Sequence, residues 1–122
     1  MNEQIEVINK LLELLETMEE GLIYIEEKLS ERDPKNAIKM LMDTTDAFAS
    51  IEVSLQPILP ELPENSVQEK TDGLRSGLAI MISEYENNQG IKALECLQSN
   101  TMPAFNIWRA ELEQVLRPYT LS

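Results

Sequence analysis

A chain of 122 residues with 22 acidic and 10 basic side chains, a net charge of −12 and no histidine is long enough for one core without disulfide or metal. That charge repels phosphate backbones and anionic headgroups, so nucleic acid and membrane surfaces are set aside as partners, while basic or apolar protein surfaces remain. Without histidine there is no Ser-His-Asp or Cys-His catalysis, no Glu-x-x-His pair of a di-iron bundle and no His/Cys zinc site.

The lone Cys96 can form neither an internal disulfide nor a cysteine metal cluster. Four scattered glycines supply neither a P-loop nor a dinucleotide fingerprint. Met1-Asn2-Glu3-Gln4 does not begin a signal peptide, and no apolar run nears the roughly 20 residues that a membrane helix needs. The composition therefore predicts a soluble, cytoplasmic, all-α domain over 1–122.

Residues 1–33 hold ten acids against Lys10, Lys28 and Arg32, a net of −7. A heptad frame from Met1 places Met1, Ile8, Leu15, Leu22 and Leu29 at a, and Gln4, Leu11, Met18 and Ile25 at d. The spacing predicts one amphipathic helix from Met1 to about Arg32. At the flanking e positions Ile5 and Leu12 give way to Glu19 and Glu26, so the apolar face is broad in the first half and narrower in the second. Such a helix is roughly 45 Å long, and its first turns are expected to overhang the bundle.

Asp33 caps and Pro34 opens a second helix, predicted to reach about Leu55. Its stripe is Ala37, Leu41, Thr44, Phe48, Ile51 and Leu55, broadened by Ile38, Met42, Thr45 and Ala49. Pro57, Pro60 and Pro63 then recur with the period of a polyproline II helix. Their flanks, Glu61 and Glu64, lack the basic residue that proline-recognising grooves usually want, which favours a stiff crossover over 57–64 with Ile58, Leu59 and Leu62 packed on the bundle.

Ser66-Val67-Gln68-Glu69 has the pattern of a capping box and starts a third helix with the stripe Val67, Thr71, Leu74, Leu78, Met81 and Tyr85. Gly73 and Gly77 would each weaken it by roughly 1 kcal/mol relative to alanine, and a close helix crossing is the expected reason for both. After the Asn87-Asn88-Gln89-Gly90 turn a fourth helix runs from Ile91 to about Arg117, with Pro118 ending it. Ile91, Leu94 and Leu97 mark its stripe before Pro103, and Phe105, Trp108, Leu112 and Val115 after it. Pro103 predicts a kink, or a fresh start capped by Asn100 or Thr101.

Sliding the chain on itself by 56 residues pairs Gly21-Leu22 with Gly77-Leu78, Ala37-Ile38 with Ala93-Leu94, Leu41 with Leu97 and Thr45 with Thr101. Beyond Pro103 the offset becomes 57, pairing Phe48 with Phe105, Ile51 with Trp108 and Leu55 with Leu112, as one extra residue near Pro103 would require. Periodicity alone also aligns leucine with leucine. Either way the predicted fold is an antiparallel four-helix bundle, read here as two related helical hairpins, 1–56 and 65–118, joined by the proline-rich crossover.

Carboxylates are the only groups left for catalysis or metal binding, and Glu13, Glu16, Glu20, Glu27 and Glu31 share related faces of the first helix. One face presents them divergently to water, which suits solvation better than a hard cation. The charge nearest Cys96 in sequence is Glu95, not a base that would activate a thiol, and a core or boundary cysteine is the simpler reading. Trp108 and Phe105 read as core, and the methionines suit either an adaptable groove or an irregular core.

No motif fixes a function, an enzyme is not expected and no cofactor is implied. Exclusion leaves a non-enzymatic protein-interaction module: an adaptor, a regulator or an export-chaperone-like protein. Small bacterial export chaperones, including those for flagellar subunits, are similar in size, acidity and helical make-up, without a shared motif. The expected partner is another protein or a second copy in a homodimer, met at Ile5, Ile8, Leu12 and Leu15. The alternative is a carboxylate-based metal or small-ligand binder using the bundle interior.

Overall fold

Apolar residues at spacings of three and four generate helices that hide one stripe each, and the computed structural model, which describes residues 4–120, packs them around a shared core. Helix α1 spans Ile5–Ser30 and α2 spans Pro34–Leu55. A short 3-10 turn, Leu59–Glu61, lies in the crossover. Helix α3 is Val67–Glu86, and the fourth rod consists of α4 (Gly90–Cys96), a π-helical turn (Leu97–Thr101) and α5 (Met102–Leu116). Among the described residues no strand occurs, and the architecture is the expected all-α four-helix bundle.

The α1 seam is buried as the heptad frame requires: Ile8, Leu11, Leu15, Met18, Leu22 and Ile25 all face the core. Met1 lies outside the described residues. Among the described residues the expected overhang is absent, since Ile8 and Leu11 are already buried and the fourth rod, from Gly90 to Leu116, matches α1 in length. Asp33 caps α2 by accepting from the Asn36 amide, with Pro34 in the first turn. The α2 stripe is buried in full, but Met42 and Ala49 are exposed, so that stripe is narrower than the sequence suggested.

The crossover is not polyproline II. The amides of Ile58, Glu61 and Leu62 each bond a carbonyl three residues back, because residues between prolines keep their donors and burial of Ile58 curls the chain inward. Leu59 and Leu62 pack against the core as expected. The capping box at Ser66 does not form either. The Ser66 amide and hydroxyl donate instead to Glu111 Oε2 of α5 at 2.8 and 3.0 Å, and Asn65 accepts from the Val67 amide at 2.9 Å. A carboxylate from a neighbouring helix replaces the local Glu69.

Pro103 does not force a fresh start, since helix continues through it, and neither Asn100 nor Thr101 provides a side-chain cap. The Met102 amide reaches back five residues to the Leu97 carbonyl, and this wider turn absorbs the proline at the head of α5. The early stripe also differs: Ile91 is exposed, whereas Ala93 and Leu97 point inward and Leu94 is half-buried.

The two hairpins repeat one another closely. At an offset of 56 the buried residues Leu11, Leu15, Met18, Gly21, Leu22 and Ile25 correspond to Val67, Thr71, Leu74, Gly77, Leu78 and Met81. Both interhelical turns carry a left-handed residue at the same place, Arg32 (φ 59°) and Asn88 (φ 58°), with the same three closing hydrogen bonds. In each hairpin a glycine of the first helix lies against a threonine of the second, Gly21 against Thr44 and Gly77 against Thr101. Thr101 is therefore the counterpart of Thr44, not Thr45. The offset is still 56 at Leu41 and Leu97 and becomes 57 at this threonine, which locates the extra residue in the π turn, just before Pro103.

Two core substitutions distinguish the copies. Trp108 stands where hairpin 1 has Ile51, and Thr71 stands where it has Leu15. The smaller threonine accepts the buried indole N–H at 2.9 Å, and the Trp108 ring lies 5.4 Å from that of Phe48 and 6.1 Å from that of Phe105.

The glycines separate cleanly. A Cβ on Gly77 would sit 2.9 Å from Thr101 Oγ1 and 3.3 Å from its backbone Cα, whereas one on Gly73 would meet nothing within 4 Å. Close crossing thus explains Gly77 but not Gly73. In urea denaturation, Gly73→Ala is expected to gain about 0.5–1 kcal/mol of stability from helix propensity. Gly77→Ala should lose about 1–3 kcal/mol, because the Thr101 backbone must move.

Candidate functional site

Of the four residues expected to meet a partner, Ile8 and Leu15 point into the chain's own core and are fully covered, while Ile5 and Leu12 are half-buried at its edge. They do not form one exposed surface, because the chain's own helices close over the a positions and leave only the edge of the neighbouring e positions uncovered. Glu13, Glu16, Glu20, Glu27 and Glu31 are all exposed. Among the described residues no three acids, cysteines or histidines converge as metal ligands would.

Sequence reasoning missed two arginines that gather a different group of acids, of which only Glu16 belongs to that set. Arg109 of α5 donates to Glu19 of α1 at 3.0 Å and to Glu113 at 2.9 Å, with Glu16 at 3.9 Å. Glu113 also receives Arg117, and these partners hold its carboxyl below the ordinary glutamate range, Arg117 contributing most. On the opposite seam Arg75 of α3 bridges Glu52 of α2 and Asp72, the latter at 2.7 Å. Donation from Arg75, and then from Gln68, lowers the Asp72 pKa.

Cys96 is half-buried, with its sulfur 3.8 Å from the Gly77 carbonyl oxygen and 3.6 Å from Thr101 Oγ1. It fits the boundary role expected of it. Phe105 and Trp108 are core rather than pocket lining.

What the bundle does offer lies at the end where the two interhelical turns meet. Leu29, Arg32 and Pro34 from the first turn, with Gly90 and Ile91 from the second, line an open apolar recess of about 410 Å³. Pro34 and Gly90 also border a second recess of about 250 Å³ with Tyr85, Glu86 and Asn88. Ile91 is 70% exposed at its rim. The residues are about 60 positions apart in sequence, and the antiparallel order of the helices, which puts both turns at the same end, is what hints that they meet. Arg32 pays for its place with a left-handed backbone that glycine or asparagine adopts more easily.

The carboxylate with the most structural consequence is Glu111, which holds the start of α3 against α5. Donation from the Ser66 amide and then its hydroxyl lowers the Glu111 pKa. A lowered carboxylate pKa stabilises the fold above its unfolded value of about 4.3 and ceases to do so as pH falls through the folded value. Glu111→Gln should therefore cost about 1 kcal/mol at pH 7 and flatten the acid limb of stability below about pH 4.5, measured by urea denaturation across pH.

No helix among the described residues is long and apolar enough to cross a membrane. Comparison with curated proteins finds no match, and comparison with solved structures finds none either. Residues 6–111 match the family described as a domain of unknown function (DUF8042), and since the match runs from the first turn of α1 to the last turns of α5, the chain belongs to that family.

Proposed function

We propose that this chain is a non-enzymatic, cytoplasmic protein-interaction module, of the adaptor, regulator or export-chaperone kind, that seats an apolar segment of a partner protein in the recess between its two turns. The observation that carries the reading is Ile91, a large apolar side chain left 70% exposed on the rim of an apolar recess. Arg32 adds support. An arginine held in a left-handed turn that the second hairpin fills with Asn88 is a strained choice, and strain concentrates where a side chain is needed.

The experiment is affinity capture from native cytoplasm with three forms of the protein, each shown to be folded by circular dichroism. Wild type and Val53→Glu, which alters an exposed apolar residue on α2, should retain the same partner. Ile91→Glu should lose it by about tenfold or more, as expected when a charge enters an apolar contact. Equal retention by all three forms rejects the recess as the binding surface, and an absence of any specific partner rejects the interaction module.

A further inference from the structure

The internal repeat relates two of the ion pairs that join the hairpins and reverses their sign. Glu19 of α1 corresponds to Arg75 of α3 at an offset of 56, and Glu52 of α2 corresponds to Arg109 of α5 at 57. In the folded chain Glu19 pairs with Arg109 at 3.0 Å across the α1–α5 seam, and Glu52 pairs with Arg75 across the α2–α3 seam. One contact is therefore built twice, once as acid-to-base and once as base-to-acid.

Hairpin 1 thus contributes the acids of both pairs and hairpin 2 the bases, each of which also meets an acid of its own helix, Asp72 or Glu113. If a second copy of hairpin 1 took the place of hairpin 2, as in a hairpin-exchanged dimer, Glu19 would face Glu52 of the other copy at both seams, with Glu16 adding a further negative charge. In the complementary half of that dimer Arg75 would face Arg109 twice, relieved only in part by Asp72 and Glu113. The core is less selective, because most buried positions are aliphatic in both hairpins.

We infer that the sign-reversed ion pairs are a partner-selection device: they make the inter-hairpin face of hairpin 1 specific for the face of a hairpin 2 and reject the same face of hairpin 1 in a second copy. The contribution to stability of each exposed pair is small, but it enters four times in the choice between the two assemblies.

The full-length chain permits a test in which both intramolecular pairs are kept. Glu52→Arg with Arg75→Glu preserves opposite charges at both seams, yet gives each hairpin one acid and one base, so that like hairpins attract. Refolded from denaturant over a concentration series and weighed by light scattering, wild type should be monomeric. The double variant should show a concentration-dependent dimer, its dimer-to-monomer ratio raised on the order of tenfold for four modest contacts. Adding Glu19→Arg and Arg109→Glu makes hairpin 1 wholly basic and hairpin 2 wholly acidic at the contact, and this quadruple variant should return to monomer. The pair Glu19→Arg with Arg109→Glu alone reverses the other seam and should dimerise as the first double variant does. A wild type that already exchanges hairpins, double variants as monomeric as wild type, or a quadruple variant that dimerises as readily as the doubles would each overturn the proposal.

Discussion

Each hairpin is held at one point where its two helices come closer than side chains ordinarily allow. Gly21 lies against Thr44 and Gly77 against Thr101, and in both places the absence of a Cβ makes room for the threonine. Once that contact is made, the register of the hairpin is set, because ridges above and below it must mesh at spacings of three and four. The inward residues then follow: Leu22 and Leu41 next to the first crossing, Leu78 and Leu97 next to the second. The turn that connects the helices must close over a fixed span, and both hairpins solve this with the same left-handed residue and the same hydrogen bonds.

On this common frame the second hairpin carries three departures, each of which serves contact between hairpins or the continuity of a helix. Trp108 outgrows its counterpart Ile51 and reaches Phe48 of α2, while Thr71 shrinks from Leu15 and satisfies the indole. The two changes are coupled, since a buried indole N–H without an acceptor would be costly. The π turn admits one extra residue and Pro103 without breaking the rod. The ion pairs change sign. A repeat that had stayed symmetrical would have no reason to prefer one hairpin as its neighbour over another.

Most of the architecture could be read from the sequence because it depends on period, and period survives in a string of letters. The seam of α1, the stripe of α2 and the cap at Asp33 all follow from local spacing. The errors arose where a distant group intervened. Glu69 loses its place at Ser66 to Glu111, which no local pattern announces. Ile8 and Leu15, read as half of a partner surface, are covered by the chain's own helices. The recess at the turns brings together Leu29 and Ile91, and Arg109 gathers acids from α1 and α5. These features require knowing which side chains meet across the ends and seams of the bundle, and the antiparallel order of the helices brings the turns to one end without naming those contacts.

The π turn also bears on how the family can vary in length. Everything after Thr101 is turned inward correctly only because one residue between Leu97 and Thr101 is taken up by a wider loop of backbone. A relative lacking that residue would run as an uninterrupted α-helix with the same inward face as α2, whereas a deletion anywhere in α1, α2 or α3 would rotate a whole stripe by about 100° away from the core. One-residue length changes among members are therefore expected to gather at this single turn of the fourth rod.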